Sequence, residues 1–276
     1  MVKALLNNMM VGQFFAADSI IHKLDPRIKL LLTFVYTLLM FFIESMFIFT
    51  FNILAIIMVY KLARVPLKIL IKSIKRMLPI LLISAGINIF LIQGETVFKF
   101  LGINITKQGL CMVSTMIVRI ICLISGMLLL LYTTSPAELV AAIEKILKPL
   151  KIFKVSPEEI AIMFSIALHF VPVLLLEAER IMNAQRARGA KFDSKHLKEK
   201  LKAYITIVIP LLISTSNRAN DLAIAMESRC YHGGENRTRF KILHYSAYDL
   251  YALLISLLYV LLLLIFNKLD FFKIVM

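Results

Sequence analysis

The sequence predicts an all-α integral membrane protein with about five spanning helices and a cytoplasmic or interfacial layer built on two long helices. Three observations carry that expectation. Of 276 residues, 60% are hydrophobic, well above the roughly 45–50% of a soluble domain. Apolar runs near the roughly 17–25 residues that cross a bilayer as helix recur at Ile28–Ile43, Met46–Tyr60, Met77–Ile92, Gly109–Tyr132 and Tyr248–Phe266. Lysine and arginine, which stay on the cytoplasmic side of spans, are sharply partitioned: 27 fall within 1–29, 61–76 and 145–241, and four within 93–108 and 267–276.

That partition sets an inside N-terminus and an outside C-terminus after five crossings. It divides the chain into a membrane domain at 1–132, a cytoplasmic-side domain at 133–247, and a final span with an outside tail at 248–276. Polar Asn7, Asn8, Gly12 and Gln13 interrupt Met1–Ala17, so the opening is not expected to be a cleaved signal peptide. The first three runs are short and require interfacial ends or a locally thinned bilayer. Cys111, Cys122 and Cys230 lack any Cys-x-x-Cys spacing and read as structural thiols.

The first span has a clear start, with Asp25 placed to cap and Pro26 at the first helical position. Before the third run, "VPLKILIKSIKRMLP" aligns Lys68, Lys72, Lys75 and Arg76 on one stripe and Leu67, Leu70, Ile71, Ile74 and Leu78 on the other. Such a helix, at 66–76, suits the membrane interface, its cations near anionic headgroups or merely snorkelling without a specific partner.

Two further apolar stretches, Ile160–Leu176 and Tyr204–Ser216, are flanked by basic segments on both sides. If both crossed, the block Glu177–Lys202 with its eight basic residues would lie outside. Neither is therefore assigned as a span. They read instead as parts of long helices on the cytoplasmic side. Ser135-Pro136 with Glu138, and Ser156-Pro157 with Glu158 and Glu159, are helix-start signals. The second opens a helix that can run to Arg188, with a possible bend at Pro172. A third runs from about Ser194 through Pro210 to Arg229, where "YHGGENRTR" stops it with paired glycines.

No G-x-x-x-x-G-K-S/T phosphate loop exists, so energy from ATP would have to arrive through another chain. The five histidines never fall in H-E-x-x-H spacing, and no cofactor or nucleic acid is expected. An intramembrane hydrolase would need Glu158, Glu159 and His169 to activate water. The carboxylates are equally explained by the positive end of a helix dipole. Arg119, inside the fourth run, is either a functional intramembrane charge or a bundle-facing arginine held by a carbonyl or carboxylate. Arg188 and Arg229 each close an apolar helix among small residues. Each is either a cation favoured by a helix C-terminus or a fork able to grip a carboxylate in a partner's groove.

"GQFFAADSIIHKLDPRIKLLLTF", with Asp18, Ser19, His22, Asp25, Pro26 and Arg27, resembles the opening of the transmembrane T components of energy-coupling factor transporters. "TTSPAEL" at Thr133–Leu139 is similar to that family's entry into its coupling region. "QRARGA", with Ala187, Arg188 and Gly189, resembles the first of its two Ala-Arg-Gly signatures, and "AMESRCY", with Ser228, Arg229 and Cys230, the second. The second motif departs from the pattern, since its arginine carries over while its flanks do not, and cysteine lacks glycine's backbone freedom.

The resemblance implies a non-catalytic scaffold of the cell membrane. It would join two cytoplasmic ABC-type ATPase subunits to a small substrate-binding membrane subunit, importing a vitamin or metal ion. The coupling helices would cross each other, at about 157–189 and 195–230, with Arg188 and Arg229 as anchors. The alternatives are the hydrolase and a self-sufficient permease.

Overall fold

The computed structural model describes residues 14–15, 17–43, 45–91, 96–100, 103–153, 156–233 and 245–268. The opening 1–13, the stretch 234–244 and the tail 269–276 lie outside the described residues. In chain order the elements are α1 (Ile20–Lys23), α2 (Pro26–Phe42), α3 (Met46–Leu62), α4 (Leu67–Leu91), β1 (Thr96–Phe100), β2 (Ile103–Thr106) and α5 (Lys107–Thr133). There follow α6 (Pro136–Ile146), a 3-10 turn (Lys148–Phe153), α7 (Pro157–Ala187), α8 (Leu197–Ser228) and α9 (Ala247–Lys268). The protein is an all-α membrane protein with one addition that the sequence reading does not foresee, the antiparallel β1–β2 hairpin. It pairs Thr96 with Thr106 and Phe100 with Ile103.

The described residues form two compact units. A bundle unit is drawn from Gln13–Ser135 and Ile242–Met276, and a long-helix unit from Pro136–Lys241.

In the bundle unit, α2 begins where the pattern places it: Asp25 accepts from the Arg27 N–H and Pro26 fills the first helical position. Thr106 caps α5 by accepting from the Gly109 N–H at 3.1 Å. The basic segment 66–76 and the third apolar run, separate in the sequence reading, join in one continuous helix, α4. The core has two centres. Met40, Ile43, Ile48, Phe49, Cys122 and Leu263 join α2, α3, α5 and α9, while Tyr60, Ala63, Val65, Leu70 and Tyr132 pack where α3 turns into α4 against the end of α5.

Outside this core much of the surface is apolar. Phe34, Leu54, Ile83 and Ile255 are each more than 60% exposed, a display that an aqueous surface rarely tolerates over such an extent and a lipid solvent requires. Several interior polar groups find partners. Tyr36 donates to Asn52 Oδ1 at 2.9 Å and to the Cys122 carbonyl at 3.2 Å, and Tyr60 donates to the Ser125 carbonyl at 2.8 Å. Gly126 makes this packing possible, because a Cβ there would meet the Tyr36 ring at 2.6 Å.

The two ends of α2 fix its direction relative to α9. Asp25 lies against Asp249 at one end, and Asn267 donates to the Phe42 carbonyl at 3.0 Å at the other, so the helices run parallel. With 17 residues, α2 is only about 25 Å long against a hydrocarbon core of about 30 Å. Its last carbonyls would be left bare below the surface. Asn267 takes one and Arg119 another, donating from Nη2 to the Ile43 carbonyl at 2.6 Å. Arg119 is thus held by a carbonyl at a helix end, with its guanidinium 5.8 Å from the Phe49 ring centre.

In the long-helix unit, α7 and α8 have 31 and 32 residues. Phe192, in the connection, is buried with Ala203 and Ile207 against Ala178, Ile181 and Met182. Farther along, Arg218 donates to Glu177 at 2.7 Å, so α8 runs back along α7. By length and composition α5, α7 and α9 could each cross a membrane, with Phe47–Leu62 a shorter apolar helix.

Candidate functional site

The residues of the N-terminal motif tie three helix ends together. Ser19 caps α1 by accepting from the His22 N–H at 3.3 Å, and its Oγ lies 2.7 Å from His22 Nδ1. The other ring nitrogen, Nε2, is 2.8 Å from the Phe15 carbonyl, and the Phe15 N–H donates to the Tyr132 carbonyl at 2.9 Å, at the end of α5. Asp18 is exposed.

Asp25 is only 5% exposed and receives Arg27 through both carboxylate oxygens, with the Nη2 to Oδ2 distance at 2.7 Å. Burial alone would push this carboxyl up. The hydrogen bonds and charge of Arg27, with the charge of Lys29, outweigh it and hold Asp25 below the ordinary value. The Arg27 guanidinium also stacks over Tyr245 at 4.3 Å. Lys29 is buried and donates to the His22 and Thr133 carbonyls at 3.1 and 2.9 Å. A cation is favoured there, at the C-terminal end of α5.

The residue that closes this knot, Asp249, is absent from the sequence reading. Its carboxylate is 2% exposed and accepts from the Ser246 and Asp25 N–H groups, each at 2.7 Å. Ser246 in turn accepts from the Tyr248 N–H at 3.3 Å. Ser246-x-x-Asp249 before an apolar run is a reciprocal capping pattern, and that signal was available to find it.

The two arginine motifs have matching backbones. At the end of α7, Arg188 is the C-cap, Gly189 takes φ +87°, the Gly189 N–H donates to the Arg186 carbonyl, and the Ala190 N–H reaches the Gln185 carbonyl. At the end of α8, Arg229 is the C-cap, Cys230 takes φ +59°, the Cys230 N–H donates to the Glu227 carbonyl, and the Tyr231 N–H reaches the Met226 carbonyl. Both are Schellman ends, with a left-handed residue directly after the arginine.

This corrects two expectations. The stop signal of α8 is Cys230 itself and not the paired glycines. Gly233 lies three residues farther on, at φ +99°, and Gly234 is outside the described residues. Cysteine does reproduce the glycine conformation, at a backbone cost of about 1–2 kcal/mol. Gly189 has open space around it, with nothing within 4 Å of where a Cβ would sit, so within this chain its need is the positive φ and not a close neighbour.

Arg188 and Arg229 are both exposed, as are Ala187 and Ser228 before them, and among the described residues no ion pair engages either arginine. Arg188 sits at the turn between the long helices and Arg229 at the far end of α8, whose 32 residues make about 48 Å of helix.

The hydrolase trio is not assembled. Glu158 pairs with Lys151 at 2.7 Å, Glu159 is exposed, and His169, exposed and edge-on to Phe170, is 11 residues beyond Glu158 on the same helix, about 16 Å along the axis. No water could touch both. His169 instead lines an apolar groove of about 500 Å³ with Ile162, Phe170 and Arg218.

The apolar-surfaced bundle and the paired long helices with matched ends define a multi-pass helical membrane protein. Residues 17–240 match the family described as CbiQ, cobalt transport protein. The chain is 39% identical over 247 residues to the energy-coupling factor transporter transmembrane protein EcfT of Thermosediminibacter oceani, covering 90% of this chain and 93% of that one. It is 40% identical over 262 residues to the EcfT of Clostridium kluyveri, covering 93% and 96%, and 37% identical over 255 residues to EcfT 1 of Listeria monocytogenes, covering 92% and 96%. The chain therefore belongs to this family, the transmembrane T components of energy-coupling factor transporters, and is a component of a membrane transporter.

Proposed function

We propose that the chain is the coupling scaffold of an importer in the cell membrane. It transmits ATP hydrolysis by two cytoplasmic ABC-type ATPase subunits to a small substrate-binding membrane subunit, whose reorientation brings in a vitamin or a metal ion. The N-terminus and residues 133–247 face the cytoplasm, where most of the basic residues lie. In this reading the scaffold hydrolyses nothing itself, and the substrate site belongs to the partner subunit.

The observation that carries the reading is the matched construction of two exposed arginine ends one long helix apart. A cation at a helix C-terminus is locally favoured whatever its purpose, which would account for one such end. Two ends with the same Schellman geometry, each holding its arginine directly before a left-handed residue, support a shared task. Their separation suits two grooves on two subunits better than a single one. A guanidinium fork can then pair bidentately with a carboxylate, and closure of the ATPase pair on ATP would move both helix ends together.

The test is co-purification of the ATPase subunits with Arg188→Ala, Arg229→Ala, Arg188→Lys and Arg229→Lys variants of the tagged chain. Each alanine variant should lose a charge-assisted contact of about 1.5–3 kcal/mol, and the double alanine variant more. Lysine keeps the charge at the helix end but not the fork, so it should fall short of the parent. Undiminished ATPases and normal transport in both alanine variants would remove the docking role.

A further inference from the structure

We propose that the exposed basic face where α3 turns into α4 binds the headgroups of anionic phospholipids. The surface is independent of the arginine ends and of the coupling reading.

Lys61, Arg64, Lys68, Lys72, Lys75 and Arg76 are all exposed. The stretch 61–76 contains no acidic residue, and among the described residues none of the six takes part in an ion pair. Six cations are thus crowded into sixteen residues, with no ion pair among the described residues to offset their repulsion. The stripe Lys68, Ile71, Lys75, Leu78, Leu82 advances by three and four residues and so follows one side of α4. All five are exposed, with Ile71, Leu78 and Leu82 at 51, 46 and 59%. Leu70, Leu81 and Ala85, on the neighbouring face, are buried, so Ile71 and Leu78, which the sequence pattern sets apart from the lysines, are exposed beside them. The outer stripe therefore begins with cations and continues as apolar surface, the order that one phospholipid presents from phosphate to acyl chain.

The length of α4 sets the depth. Its 25 residues span about 38 Å against a hydrocarbon core of about 30 Å. From Met77 to its end at Leu91 the helix supplies about 22 Å of apolar length to the core, and the basic turns before it project into the headgroup layer. An aqueous anion would satisfy the cations alone. A lipid satisfies the cations and the exposed Ile71, Leu78 and Leu82 at once.

Arg64 supplies an independent sign. It takes φ +56° at another Schellman end: the Arg64 N–H donates to the Lys61 carbonyl and the Val65 N–H reaches the Tyr60 carbonyl. Glycine would adopt this conformation without strain. An arginine holds it instead, with its side chain exposed beside the lysines.

The two roles of Arg64 separate in one variant. The experiment is native mass spectrometry of the purified full chain with added phosphatidylglycerol or phosphatidylcholine, with thermal unfolding followed in parallel. The parent should retain phosphatidylglycerol in preference to phosphatidylcholine. Arg64→Gly should unfold at a higher temperature yet bind phosphatidylglycerol about fivefold more weakly, the equivalent of about 1 kcal/mol for one surface cation. The combined Lys68→Gln, Lys72→Gln, Lys75→Gln and Arg76→Gln variant should lose the preference, while Lys198→Gln with Lys200→Gln keeps it. The proposal is overturned if the four-site variant binds phosphatidylglycerol like the parent, if the Lys198 and Lys200 control loses as much, or if Arg64→Gly leaves affinity unchanged. It also fails if phosphatidylcholine is held equally well, or if inorganic phosphate displaces the lipid, which would make the surface a site for a free anion.

Discussion

The Asp249 carboxylate accepts the Asp25 backbone N–H at 2.7 Å, joining residues 224 positions apart. Through that contact, the start of α9 and the start of α2 share one anion, which also takes the Ser246 N–H. Asp249→Ala should destabilise the protein by about 2–4 kcal/mol, because it leaves two buried donors unsatisfied. Asp249→Asn retains an acceptor oxygen and should lose less. Thermal unfolding in detergent micelles checks both, and equal melting of parent and alanine variant would show that the contact contributes nothing.

The Asp25 carboxyl is held below its ordinary value of 3.8 in the fold. A depressed carboxylate contributes stability that is fully present above the unfolded value and is lost as the pH falls through the folded one. Stability should therefore be insensitive to this group at neutral pH and decline below about pH 4. Asp25→Asn should be less stable at neutral pH and show a flatter acid limb. Melting temperature against pH for the two chains is the measurement, and parallel acid limbs would contradict the assignment.

Much of the bundle was legible because its signals are local. Asp25-Pro26 marks a helix start, and the fourth and fifth apolar runs are long enough to announce themselves. Arg119 was legible as one of two alternatives, and Ile43 is the carbonyl that the structural alternative required. What stayed hidden depends on residues far apart in sequence. Asp249 carries a local capping signal, but nothing near it reveals that it also serves Asp25. The continuity of α4 was obscured because its charge pattern changes at Met77 while its backbone does not. Cys230 misled for a different reason. Propensity argues against a left-handed cysteine by only about 1–2 kcal/mol, an amount that the two Schellman hydrogen bonds at that end can offset.

Cys230→Gly should consequently stabilise the end of α8 by up to about 1 kcal/mol, since glycine adopts a positive φ without the Cβ clash. Gly189→Ala should act in the other direction by about 1–2 kcal/mol despite the open space around it, because the penalty lies in the backbone and not in a neighbour. Amide hydrogen exchange at Ala190 and Tyr231, the residues whose N–H groups close the two motifs, reports each change locally. Slower exchange at Ala190 in the alanine variant would contradict the backbone argument.

The charge partition makes a topological prediction for the whole chain. With 27 basic residues assigned to one side and four to the other, a thiol at Lys195 should face the cytoplasm and one at Lys107 the exterior. Both lysines are exposed, so either position can react once cysteine stands there and Cys111, Cys122 and Cys230 are replaced. An impermeant maleimide applied to intact cells should label Lys107→Cys but reach Lys195→Cys only after permeabilisation. The second result matters most, because α7 is long and apolar enough to cross a membrane by itself. If α7 crossed without α8, or with it, the turn between them would reach the exterior with its lysines and arginines, and labelling of Lys195→Cys in intact cells would reveal it. Protection of that thiol keeps α7 and the Arg188 end on the side where ATP is found.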